Sequence, residues 1–164
     1  MPKLTPVDTN FAAVAPVNIV VSKTIAADVA DVWAVVTHNP TWTEWFPQMK
    51  SCETTSDPGF GVGATRTVKV GGLRADEVFV AWDENVRWAF TIVGTNLPLA
   101  TKMLEQIEFS SSPSDGSPST TVTYTGSIAP HWLARPILPI AKWNLKRSWA
   151  TGFDNLAAML ESKG

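Results

Sequence analysis

The C-terminal fifth of the chain places the strongest constraint on the fold. Ala141, Leu145, Trp149, Gly152, Leu156 and Leu160 recur at steps of four, four, three, four and four. That spacing writes one continuous apolar face on a long α-helix within about Pro130 to Lys163. A helix of this kind is held mainly by packing of its apolar face, so the rest of the chain has to supply a matching surface. Pro136 and Pro139 fall in its first part and predict an irregular or kinked approach to the helix.

The preceding residues supply strands. Asn18–Thr24 is a β-branched run and the first strand. A helix follows, with Asp28 as N-cap and Val29, Val32, Trp33 and Val36 on one face. Asn39 as cap and Pro40 in the first turn open a second short helix, whose apolar face is Trp42, Trp45 and Phe46 and which Pro47 closes. Six strands are then predicted: Gln48–Ser56, Ala64–Val70, Leu73–Trp82, Val86–Gly94, Thr101–Ser111 and Thr120–Ile128. Asp57-Pro58-Gly59 reads as a turn in which Pro fixes φ and Gly supplies a positive φ. Gly71-Gly72 reads as a two-residue hairpin loop and Asp83-Glu84-Asn85 as a further turn. The polar stretch Ser112–Ser119 is expected to be a mobile loop. Close spacing without crossover helices predicts an antiparallel meander of about seven strands in an α+β fold. Residues 16–164 are expected to form one domain and residues 1–15 a loose tail.

Composition narrows the function classes. The chain has 164 residues, 45% hydrophobic and 17% charged, which suits a folded domain with a sizeable core. The net charge of −2 offers no basic surplus for a phosphate backbone, so nucleic acid is not an expected partner. No run approaches the ~18 apolar residues of a membrane span. The apolar patch Phe11–Val21 contains Pro16 and Asn18 and lacks a basic flank, unlike a secretory signal. The one cysteine, Cys52, has no partner for an internal disulfide and fits a reducing cytoplasm. His38 and His131 lie far apart in sequence, so neither metal nor cofactor is expected. Gly59–Gly63 precedes a strand rather than a helix, which argues for a flap at a cavity mouth over a phosphate loop. Eight tryptophans in so short a chain predict that some line a cavity or its mouth.

The order strand, two short helices, six strands, long helix is accompanied by particular wording. Val21-Ser22-Lys23-Thr24-Ile25-Ala26, Val32-Trp33, Trp42-Thr43-Glu44-Trp45-Phe46-Pro47 and Gly61-Val62-Gly63-Ala64-Thr65-Arg66 carry it, with Glu77 followed by Asp83 and Arg87. Together they resemble the START-like superfamily, also called SRPBCC, and especially its polyketide cyclase/dehydrase branch, over about residues 16 to 163. The resemblance implies a helix-grip fold, a bent antiparallel sheet around the C-terminal helix, with a deep apolar cavity between them. Members bind lipids, hormones or polyketide intermediates; some are cyclases or hydrolases, some carriers, some protein-binding regulators. No shared catalytic signature carries over, so catalytic residues stay unassigned.

The candidate cavity wall is aromatic: Trp45, Phe79, Trp88, Phe90, Tyr124 and Trp149. Alternation puts Trp88, Phe90 and Ile92 on one face. Leu73–Trp82 is apolar on both faces (Glu77, Phe79, Ala81 against Val78, Val80, Trp82), and the resemblance favours Glu77 and Phe79 inward. Arg66 and Glu77 are the polar candidates, since a charge in an apolar pocket needs a partner. They could pair with each other, hold a ligand's hydroxyl or carboxylate, or lie on a solvated face. His131, beside Trp132, could serve as general base in an aldol-type cyclisation or simply decorate a loop, and Glu77 is the other catalytic candidate. His38 suits a helix C-terminus. Three functions follow: binding of a small hydrophobic, lipid- or polyketide-like ligand; a cyclase, aromatase or dehydratase in the same cavity; or a protein-interaction module. A perturbed polar cluster inside the cavity would favour the enzyme. A filled cavity with an exposed apolar patch would favour the module.

Overall fold

A computed structural model describes residues 1–112 and 115–163. A short helix α1 (Phe11–Val14) precedes β1 (Val17–Ile25), α2 (Val29–Thr37), a 3-10 turn (Asn39–Thr41) and α3 (Trp42–Trp45). Six strands follow: β2 (Met49–Thr54), β3 (Thr65–Val70), β4 (Leu73–Asp83), β5 (Arg87–Thr95), β6 (Ala100–Ser111) and β7 (Thr120–Pro130). A 3-10 stretch (Trp132–Ile137) leads into α4 (Leu138–Glu161). The expected α+β helix-grip arrangement is present, with strand ends shifted by one or two residues. Within the expected loop Ser112–Ser119, Pro113 and Ser114 lie outside the described residues.

The seven strands form one antiparallel sheet in the order β1-β7-β6-β5-β4-β3-β2. The strands from β2 to β7 follow one another in sheet order, and β1 adds to the far edge beside β7. Gly71-Gly72 closes the β3–β4 hairpin, with Val70 opposite Leu73. Asp28 caps α2, its carboxylate accepting from the Ala30 N–H at 3.0 Å. Gly59 does not adopt the positive φ expected of the Asp57–Gly59 turn; Gly61 and Gly63 do, at 84° and 90°. What Gly59 provides is a close approach to Thr54, whose methyl would lie 2.4 Å from an added Cβ.

Two irregularities bend the sheet. Val80 and Val93 have no opposite residue in the β4–β5 register, and such bulges increase local twist and turn a strand's faces. Glu77 and Phe79 point inward, but past Val80 the faces exchange. Ala81 lies on the convex side against Ala89 and Leu104, and Trp82 turns in to stack on Phe79 at 5.8 Å.

The N-terminal segment is tied down rather than loose. β5 and β6 pair only as far as Thr91 opposite Leu104, and beyond that point they splay. The gap is filled by the first residues: Leu4 N–H donates to Val93 O at 3.1 Å and Thr5 N–H to Thr101 O at 2.9 Å. Leu4 is buried, and Val7, Phe11 and Ala12 cover the apolar convex patch. Unpaired backbone and exposed apolar surface at the splay explain why this segment orders.

α4 lies across the concave face. From Trp149 onward its inner side is fully packed (Gly152, Phe153, Leu156, Leu160), whereas Ala141 and Leu145 are only half-buried. Pro136 sits in the 3-10 stretch and Pro139 in the first turn of α4, where a missing N–H does no harm. Among the described residues, no helix is long and apolar enough to cross a membrane.

Gly126 faces inward on β7, where an added Cβ would fall 2.4 Å from the Tyr124 hydroxyl. That ring cannot swing away, because it is stacked on Trp149 at 3.9 Å. Gly126→Ala should therefore destabilise the fold by about 1–3 kcal/mol in urea unfolding. The loss should shrink in a Tyr124→Phe background; equal losses in both backgrounds would refute the clash.

Candidate ligand cavity

Between the concave sheet and the first half of α4 lies a cavity of about 790 Å³, within the range of small-molecule sites. Val68, Ala75, Ile92, Met103 and Leu145 form much of its wall, with Leu4 at the splay. It exists because α4 carries small or short side chains opposite the splayed ends of β5 and β6. The mouth lies between the first turns of α4, Leu97 and Leu99 of the β5–β6 turn, and the Gly71-Gly72 hairpin.

The closed end is organised by Arg66. Alternation on β3 sends Arg66, Val68 and Val70 to the same side. Arg66 is 1% exposed, and its Cα partner across the sheet is Glu77. Arg66 Nε donates to Glu77 Oε2 at 2.5 Å, and Nη1 donates to Asn39 Oδ1 at 3.1 Å and Cys52 Sγ at 3.5 Å. The rings of Trp42, Phe90 and Trp88 lie 4.4, 4.5 and 4.6 Å from the guanidinium carbon, so aromatic faces replace water around the cation. Asn39 is thus no helix cap. Its side chain turns inward and also donates to Thr54 Oγ1 at 2.8 Å, while His38 occupies the capping position. Burial pushes the Glu77 carboxyl above its ordinary value, against the opposing pull of Arg66. Burial likewise pushes the Cys52 thiol up to about 11.

A second carboxyl stands beside this pair. Glu105 on β6 lies opposite Phe90 on one side and Gly126 on the other, and it lines the cavity. Burial raises it to about 8, with Glu77 adding to the shift and Arg66 opposing it. It makes no ion pair among the described residues. At neutral pH the group is mainly a carboxylic acid, able both to donate and to accept. Glu105 is absent from the sequence-based candidates. The signal existed, because Met103, Glu105, Ile107 and Phe109 alternate onto one face.

Of the expected wall residues, Arg66, Glu77 and Trp149 line the cavity. Trp45, Phe79, Trp88, Phe90 and Tyr124 do not. They are at most 1% exposed and fill the closed end behind Arg66. Crowding does not force them out, because the rings interlock edge to face, as in Trp42 on Trp149 at 5.7 Å and Phe79 on Trp88 at 5.1 Å. The indole N–H groups of Trp45 and Trp88 are buried there without a hydrogen-bond partner among the described residues. His131 lies outside the cavity lining. Its ring nitrogen accepts from the Leu133 N–H at 3.3 Å, a capping role that leaves it away from any enclosed chemistry. The Gly59–Gly63 loop is no flap at the mouth; it sits at the opposite end, with Phe60 against Trp82.

Two outcomes follow from this site. Replacing Arg66 by Met leaves Glu77 buried without its cation and should cost about 3–5 kcal/mol in urea unfolding. Adding Glu77→Leu should restore most of the loss, and a neutral single variant would contradict the pairing. Glu105 holds its proton in the folded state at pH values where the unfolded chain releases it. Its contribution to stability should therefore be fully present below its ordinary value of 4.5 and be lost as pH rises to about 8. Glu105→Gln removes that contribution, so variant and wild type should diverge between about pH 5 and about pH 9, with the variant the less pH-sensitive. Parallel pH profiles would place the Glu105 carboxyl in solvent.

Solved structures share this architecture. A START superfamily protein from Mycobacterium smegmatis superposes with a TM-score of 0.71 at 14% identity, over 90% of this chain and 99% of that one. The protein XoxI from Bacillus cereus gives 0.70 at 15% identity, over 87% and 94%. A solution structure from Thermobifida fusca gives 0.65 at 24% identity, over 85% and 90%. At these identities the likeness speaks for the fold alone. No curated protein matches the sequence. Residues 16–161 match the family model described as polyketide cyclase/dehydrase and lipid transport, and the chain belongs to that family.

Proposed function

We propose that this protein binds one small, mostly apolar molecule carrying an uncharged polar group, a lipid- or polyketide-like ligand. The observation that carries this reading is an apolar cavity of about 790 Å³ with a protonatable carboxyl, Glu105, near its closed end. Apolar burial along Val68, Ile92, Met103 and Leu145 would supply the affinity, at about 25 cal/mol per Å². Arg66 already has its countercharge in Glu77, so a ligand anion would meet no unmatched cation and would face two carboxyls. A hydroxyl or carbonyl suits Glu105 better, because the neutral acid can satisfy either. Arg66, Glu77 and Trp149 border the same space, while the aromatic cluster behind them holds Arg66 in place. The lone buried Cys52, without a disulfide partner, supports a cytoplasmic setting.

One observation favours an enzyme as the second reading. A carboxyl raised to about 8 is poised as a general acid or base near neutral pH, which suits a cyclase or dehydratase acting on a carbonyl compound. The interaction-module reading expects a filled or shallow cavity, and the open space weighs against it.

The test uses N-phenyl-1-naphthylamine, an uncharged apolar fluorophore. Binding should saturate at one probe per chain. Leu145→Trp, which projects an indole into the cavity, should weaken it at least tenfold. Absence of saturable binding, or an unaffected L145W, would defeat the proposal. If a bound carbonyl compound is also turned over, Glu105→Gln should abolish turnover while leaving probe affinity within about threefold.

A further inference from the structure

The surface around the mouth carries a pattern that ligand binding alone does not require. Trp132, Leu133, Ile137, Ile140 and Trp143 are between 47% and 68% exposed within one stretch of chain. Leu97 and Leu99 are exposed across the opening. Two of the eight tryptophans therefore stand in solvent while the others pack inside, at a cost that a free monomer has no reason to bear.

The charge along this stretch of chain is of one sign. No Asp or Glu occurs between Asp115 and Asp154, although the whole chain is acidic at −2. Arg135, Lys142, Lys146 and Arg147 fall in that interval, and all four are exposed. Arg147 lies over the Trp143 ring, 5.2 Å from its centroid. Lys142 borders the cavity mouth. Cations interspersed with exposed indole and aliphatic groups match the interfacial zone of a membrane, where apolar groups enter the acyl boundary and cations meet lipid phosphates. Tryptophan suits this zone because its ring is apolar and its N–H is polar.

We propose that the face formed by Trp132–Arg147 docks on the headgroup region of an anionic bilayer. The mouth then opens toward the lipid. The proposal concerns the outer surface and stands whatever occupies the cavity.

The experiment is co-sedimentation of the full chain with phosphatidylcholine vesicles, with and without phosphatidylglycerol, at low and high salt. Binding should require phosphatidylglycerol and fall as salt rises, because the attraction is screened. Lys142→Gln with Lys146→Gln should weaken it about 25-fold, at about fivefold per cation. Trp132→Ala with Trp143→Ala should weaken it at least about tenfold. Both pairs are exposed, so thermal unfolding of the variants should match wild type. Absence of vesicle binding, equal binding to neutral vesicles, or binding unchanged in both variants would overturn the proposal. So would self-association in lipid-free solution that W132A/W143A abolishes, since the patch would then be an interface between copies of this chain. Probe binding is measured separately, so failure here leaves the ligand-binding reading untouched.

Discussion

A single buried cation organises this molecule. Arg66 has to be solvated by protein, and the groups that solvate it come from distant places in sequence. Glu77 lies across the hairpin, Asn39 comes from the turn after α2, Cys52 from β2, and the rings of Trp42, Trp88 and Phe90 from α3 and β5. Together these contacts tie β2, α3 and the turn after α2 to β3, β4 and β5. Removing the charge pair as a whole need not be costly, since buried ion pairs often contribute little net stability. Their geometric effect is larger: a desolvated guanidinium accepts few arrangements of its neighbours, so α3 and β2 have one way to close the end of the sheet.

That closure leaves the other end open. The aromatic cluster and the second half of α4 form a solid plug, while the first half of the helix spans splayed strands. The core is therefore graded along the helix axis, from interlocked rings through a polar belt of Arg66, Glu77 and Glu105 to aliphatic walls and an exposed rim. At the belt, burial makes both carboxyls, Glu77 and Glu105, costly to ionise.

Much of this was legible in the sequence. The 3.6-residue repeat of α4 and the alternating strands between short turns are local properties, and they specified the elements, the order and the antiparallel meander. The β4 register was not legible, because the bulge at Val80 turns Ala81 out and Trp82 in, and because both faces of that strand are covered. The pinned N-terminus depends on a gap between β5 and β6 that no local pattern announces. Five of the six expected aromatic wall residues lie outside the cavity for a packing reason. Rings that interlock edge to face exclude a guest as effectively as aliphatic side chains do, so aromatic content does not mark a cavity. Glu105 was within reach of strand alternation alone, yet an acidic side chain reads by default as solvated surface.

The strap made by Lys3–Thr5 bears on what shapes the pocket. Leu4 forms part of the cavity wall, but it lies outside residues 16–161, the region held in common with the family. One facet of the pocket is therefore furnished from outside the family-matched region. A change of side chain at Leu4 would alter the space available to a guest without touching any residue of the family-matched region.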